Sequence, residues 1–116
     1  MRNDLQIIAD WIKKDSKVLD LGCGDGVLLE HLKQSKNVSG YGIEISPDAI
    51  LGCAKRGVNV IKKDIDQGMC SFREQSFDYV VMSQSLQTMR NTDRALLDML
   101  RIGREGIISF PNMGYI

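Results

Sequence analysis

Val18-Leu-Asp-Leu-Gly-Cys-Gly-Asp-Gly26 is a short apolar run that breaks into glycines at positions 22, 24 and 26. Residues 17–21 read as a buried strand, and the glycines follow it with no spacer. Glycine at these positions lets the chain turn sharply and brings a ligand against bare peptide that any Cβ would obstruct. Behind the turn, Leu28, Leu29 and Leu32 resume helical spacing over residues 27–35. The amide-rich start of a helix therefore points at the same place. The spacing is G-x-G-x-G, whereas a dinucleotide fingerprint wants glycine or alanine at position 27, where Val27 stands. Asp20 and Asp25 flank the turn with carboxylates, which suit an ammonium or sulfonium far better than a pyrophosphate. Taken alone, such a turn is also compatible with a purely structural role.

Outward from this segment, helical and strand-like stretches alternate. Upstream, Leu5, Ile8, Ala9 and Ile12 fall at i, i+3, i+4 and i+7, one apolar helical face with Asn3 or Asp4 as its cap. Downstream, residues 40–44 form the next strand. Ser46 then caps a helix with Pro47 at its first position, apolar residues Ile50, Cys53 and Ala54, and Gly57 as its stop. Strands are expected at 58–61 and 77–82. A short helix near 84–89 follows, then a longer one from about Thr92 to Ile102 with Leu96, Leu97, Met99 and Leu100 turned inward. A last strand at 106–110 is cut off by Pro111. Strands and helices alternating over short connections predict an α/β domain, with parallel crossover units and helices on both faces of one sheet.

The chain has 116 residues, enough for one domain. Hydrophobic residues are 43% and charged residues 26% of it, the balance of a folded globular protein rather than a disordered one. Lys and Arg number 15 against 15 Asp and Glu, and no basic cluster exceeds Lys13-Lys14 or Lys62-Lys63, so the electrostatic footprint of a nucleic-acid binder is missing. No apolar run approaches the ~20 residues of a membrane span. The acids of residues 1–11 do not fit a secretory signal. Cys23, Cys53 and Cys70 are odd in number, lack C-x-x-C spacing and share the chain with a single histidine, His31. That argues against a disulfide framework and a zinc site, and reads as small apolar residues in a reducing cytoplasm.

Ligands of open α/β sheets lie beyond the carboxyl ends of the strands. Besides the turn after Leu21, that rule nominates Glu44, Asp64 and the pair Ser83-Gln84. Glu44 follows Gly26 by 18 positions at a strand end, where a carboxylate accepts both hydroxyls of a ribose. Asp64 stands where an acid can accept from an adenine amino group, or is an ordinary loop charge beside Lys63 and Asp66. Ser83 and Gln84 are small polar groups suited to lining a ligand edge. His31 reads as a surface or packing residue on the helix after the turn. Cys23, near a helix start that would lower its pKa, reads as a small filler between glycines. No catalytic residue emerges.

The runs VLDLGCGDG, GIEIS, KDID, SFDYVVMS and LRIGREGIISFPN together resemble the class I S-adenosylmethionine-dependent methyltransferases over nearly the whole chain. More narrowly, ADWI, VLDLGCGDG, GYGIEI, RGVNVI, SFDYVVMSQSLQ and FPN resemble the MetW proteins of methionine biosynthesis, the SQSLQ and SFPN segments most of all. The resemblance implies a Rossmann-like three-layer αβα fold with a parallel sheet in the order 3-2-1-4-5. It also implies S-adenosylmethionine or S-adenosylhomocysteine as cofactor. Asp20, Gly22, Cys23 and Gly24 would hold the methionine moiety, Glu44 the ribose, and Ile45, Asp64 and Ile65 would frame the adenine. It further implies association with a homoserine O-acyltransferase, with a true methyltransferase on a small molecule or protein as the alternative and a nicotinamide-nucleotide domain as a weaker one. Sheets of this class run to more strands than the five expected here, so a cofactor-binding portion of a longer protein is expected, or a pair of chains joined through a bare apolar edge at Ile107, Ile108 and Phe110. Loops at 64–72 and 83–90 are expected to be mobile without cofactor.

Overall fold

The structure is a computed structural model, and it describes all residues except 2, 70, 84–89, 91 and 110–116. In chain order the elements are α1 (Asn3–Trp11), β1 (Lys17–Leu21), α2 (Val27–Lys36), β2 (Ser39–Glu44), α3 (Pro47–Lys55), β3 (Asn59–Lys62), a 3-10 turn (Ile65–Gln67), β4 (Phe77–Ser83), α4 (Thr92–Ile102) and β5 (Gly103–Ser109). The five strands form one sheet in the order β3-β2-β1-β4-β5. All four pairings are parallel. The expected α/β class and strand order are thus what the chain adopts. The order reverses between β1 and β4, so the carboxyl ends of these two strands open a crevice there.

Helices α2 and α3 start where local chemistry puts them. Gly26 at φ +85° turns the chain into α2 from a left-handed conformation that a Cβ would strain. Ser46 accepts from the Ala49 amide and Pro47 opens α3, the expected cap. On one sheet face, Leu5, Ile8, Ala9 and Ile12 of the α1 segment pack with Val18, Leu28, Leu29, Leu32 and Val81. On the other, Ala95, Met99 and Ile102 of α4 pack with Leu19, Leu21, Ile43, Val80 and Met82. β1 is buried from both sides, as a central parallel strand must be.

Three expectations differ from the structure. In α4 the inward residues are Ala95, Met99 and Ile102, while Leu97 and Leu100 are 67% and 70% exposed. Ala95, Met99 and Ile102 fall at i, i+4 and i+7, so the buried stripe includes an alanine that is easily passed over beside leucines. β5 begins at Gly103, directly off α4, rather than at 106. Arg104 and Glu105 disguise its start, yet charges are ordinary on an edge strand. Ile107 and Ile108 are not a bare edge either. Ile107 is buried in the first core and Ile108 packs on the second. The expected short helix at 84–89, Gln84, Cys70 and Phe110 lie outside the described residues. Among the described residues no helix is long and apolar enough to cross a membrane.

Candidate functional site

A cleft of about 420 Å³ opens at the topological switch point, lined by Asp20, Gly22, Cys23, Gly24, Asp25, Val27, Leu28 and Ser83, with Met1 and Leu5 closing it from the α1 side. Five residues nominated from sequence (Asp20, Gly22, Cys23, Gly24 and Ser83) therefore share one wall system. Gly22 and Gly24 both take left-handed backbone, φ +74° and +59°. A Cβ built on Gly24 meets nothing within 4 Å, so the loop leaves bare peptide facing open space.

Asp20 is 1% exposed at the end of β1, and its Oδ1 is buried without a hydrogen-bond partner among the described residues. Burial, and secondarily the charge of Glu44, pushes its carboxyl up to about 7. A buried carboxyl with an unused oxygen at the rim of a cleft fits a cationic ligand group, which would supply both the missing partner and the compensating charge. Asp25 is differently placed. It lines the cleft but pairs with Arg56 at 3.5 Å, and Arg56 also holds Glu30 at 2.9 Å, so Asp25 has a protein partner that Asp20 lacks.

Glu44 is held by backbone amides on both oxygens. Gly24 donates to Oε2 at 2.9 Å, and Ile45 and Ser46 donate to Oε1 at 3.1 and 3.2 Å. This one side chain joins the end of β2 to the glycine loop. Oε1 already takes two amides and Oε2 one, so Oε2 keeps lone-pair capacity for a hydroxyl. Ile45, 53% exposed, presents an apolar surface beside it. Asp64 caps the 3-10 turn by accepting from the Asp66 amide, and Ile65 packs on the second core. Like Glu44 and Ile45, neither of these two lines the cleft with Asp20. They lie at the β3 end, joined to Glu44 through the Lys63 amide, which donates to the Glu44 carbonyl at 3.1 Å. Beyond it, the Met69 amide donates to Asp98 and the Arg101 guanidinium donates to the carbonyls of Met69 and Phe72, tying those two residues to α4.

Two features escaped the sequence reading. Cys53, on α3, donates its thiol to the Gly24 carbonyl at 3.2 Å and lies 3.7 Å from the Cys23 sulfur. Cys23 is not activated by the helix start. Burial, then Asp20, pushes its thiol well above the usual range, and burial raises Cys53 too. The glycines carried a legible signal. A Cβ on Gly42 would strike Cys23 and one on Gly52 would strike Asp25, and a glycine within a strand or helix marks such close approach.

The sequence model of the family described as methionine biosynthesis protein MetW matches residues 2–116. The chain belongs to the MetW family. Its relatives include the bifunctional methionine biosynthesis protein MetXA/MetW of Rhodopirellula baltica, 38% identical over 97% of this MetW chain, which spans 19% of that protein's length. Among solved structures, a TehB-like S-adenosylmethionine-dependent methyltransferase from Corynebacterium glutamicum superposes with a TM-score of 0.78 at 19% identity, over 95% of the MetW chain and 62% of its own. The [4+2]-cyclase SpnF superposes with a TM-score of 0.75 at 25% identity, over 85% and 39%. The fold is therefore the Rossmann-like one of class I methyltransferases, and it carries chemistry other than methyl transfer.

Proposed function

We propose that this MetW chain is a cofactor-binding domain that takes S-adenosylmethionine or S-adenosylhomocysteine across the β1–β4 crevice and acts with a homoserine O-acyltransferase in methionine biosynthesis. The unpartnered buried oxygen of Asp20 is the observation that carries the ligand half. The cofactor has an ammonium and, before transfer, a sulfonium, and no phosphate. Gly22, Cys23 and Gly24 would cradle its methionine moiety, with Ser83 across the cleft, Glu44 taking the ribose, and Ile45, Asp64 and Ile65 framing the base. When bound, it supplies an electrophilic methyl group. The chain's part would be to orient it and exclude water. Val27 and the buried Asp20 speak against a nicotinamide nucleotide. A cytoplasmic location goes with this reading.

The partner half rests on the relative whose name joins MetXA and MetW in one bifunctional protein, with MetXA taken as the acyltransferase that the resemblance implies. Co-expression with the acyltransferase, followed by acyl-transfer kinetics with and without this chain and with and without S-adenosylmethionine, tests it. Co-purification and a changed kcat/KM are expected. Indifference of the acyltransferase, with S-adenosylhomocysteine produced from some acceptor, would establish instead the second reading, a methyltransferase. That reading is favoured by the fold shared with the Corynebacterium glutamicum structure. Calorimetry with S-adenosylhomocysteine and with NAD decides between the cofactors.

A further inference from the structure

Cys23 and Cys53 stand 30 positions apart in sequence, one between the loop glycines and one on α3, yet their sulfurs are 3.7 Å apart. Both thiols converge on one acceptor, the Gly24 carbonyl, at 3.6 and 3.2 Å. The amide of the same Gly24 donates to Glu44. Glycines at 42 and 52 let the loop lie this close to β2 and α3, since a Cβ on either would collide with Cys23 or Asp25. The two sulfurs are therefore built into the loop that the cofactor reading uses, with Cys23 open to the cleft and Cys53 buried behind it.

We propose that Cys23 and Cys53 are an oxidative modification site, closing to a reversible disulfide that weakens cofactor binding. The oxidant is a small disulfide of the glutathione type, reaching Cys23 through the cleft. The Cys23 thiolate attacks one sulfur of the oxidant and expels a first glutathione thiolate. Cys53 then attacks the Cys23 sulfur and expels the second. The protein gives up a pair of electrons and of protons, and the oxidant leaves as its two thiols. Burial raises both thiols, so little thiolate is present at neutral pH and closure is slow. A disulfide bond of about 2.05 Å requires the sulfurs to draw together. It also removes both donors from the carbonyl of Gly24, the residue whose amide holds Glu44, so the disulfide loosens the loop where the cofactor reading uses it. By linkage, whatever factor the disulfide takes from cofactor affinity, bound cofactor takes from the ease of oxidation. A tenfold loss of affinity corresponds to about 30 mV in the potential of the pair.

The coupling rests on the cofactor reading, while the cross-link does not, and the experiment separates them. The full chain is incubated with oxidised glutathione, alkylated and digested, and S-adenosylhomocysteine affinity is measured by calorimetry before oxidation, after it and after dithiothreitol. A Cys23–Cys53 linked peptide is expected, with affinity falling about tenfold and returning on reduction. Cys53→Ser, which keeps a hydroxyl donor, should stop at glutathionylated Cys23, and Cys70→Ser should behave as wild type. Persistent mixed disulfide in wild type, a link through Cys70, or a linked form that binds as well as the reduced form would overturn the proposal. A reduced protein that binds no S-adenosylhomocysteine overturns the cofactor reading and the coupling, and the linked peptide still decides the cross-link.

Discussion

Asp20 is shut inside the sheet with one oxygen unpartnered among the described residues, and its carboxyl keeps its proton up to about pH 7 against an ordinary 3.8. Below the ordinary value both folded and unfolded chains carry the proton. Between it and about 7 the unfolded chain releases the proton while the folded chain holds it, so stability falls as pH rises through this window and levels off above. Asp20→Asn stays neutral at every pH, so thermal melts from pH 4 to 8 should show a flatter profile than wild type and a higher Tm at the alkaline end. A ligand ammonium needs the ionised form. Affinity for S-adenosylhomocysteine should therefore climb as pH rises towards 7, with proton release seen as buffer-dependent heats, and Asp20→Asn should bind weakly throughout. A wild-type affinity flat across that window would remove Asp20 from the site. Glu44→Ala discards a carboxylate anchored by three amides, and should weaken the cofactor by roughly 2–4 kcal/mol if it bonds the ribose. Glu44→Gln, which keeps one carbonyl oxygen, should lose less. At this scale the sequence was legible where residues are contiguous with the glycine turn or at a fixed distance from it. Asp20, Gly24 and Glu44 are such residues. Cys53 was not legible, because the close packing of α3 on the loop at Gly52 brings it there and no local spacing announces it.

The faces of α4 show what an element adds to its residues. Met99, with Ala95 and Ile102, fills the second core, while Leu97 and Leu100 look outward. Met99→Ala should cost about 2–5 kcal/mol in urea unfolding. Leu100→Ala, although it deletes as much apolar chain, should stay within about 0.5 kcal/mol. Equal losses would mean that the helix is rotated from the orientation described. α4 also carries the clamp on the segment after β3. Asp98 accepts from the Met69 amide, Arg101 donates to the Met69 and Phe72 carbonyls, and the Arg101 carbonyl accepts from the Gln75 amide. Arg101→Met should speed hydrogen exchange at residues 69–75 far more than in β1. The helix itself was predictable from its ends, Thr92 and Ile102. Its buried face was not, because four strongly apolar side chains at 96, 97, 99 and 100 cover more than one side, and the partner surface alone selects among them.

At the scale of the whole molecule, two cores sandwich a sheet whose outer strands, β3 and β5, each leave one side unpaired among the described residues. The α/β class was foreseeable from apolar strands joined by short helical crossovers, and the strand order from the family resemblance. The condition of the edges was less so, because whether Ile107 and Ile108 lie bare depends on what packs above and below β5. With those side chains turned into the two cores, what β5 offers outward is its backbone N–H and C=O groups, the template for pairing with another strand. β3 has the same geometry, but it is four residues long against seven in β5, and very short edge strands pair poorly. Self-association through β5, the pairing that the sequence suggested, thus has a built-in control. If two copies join along β5, the outward amides of residues 103–109 should gain protection from hydrogen exchange as protein concentration rises, in step with a doubling of mass by light scattering. The amides of β3 should exchange at the same rate throughout. A single-chain mass at every concentration, with β5 exchange unchanged, would leave that edge to a different partner. Repeating the exchange with the acyltransferase present would then show whether β5 is the strand it covers.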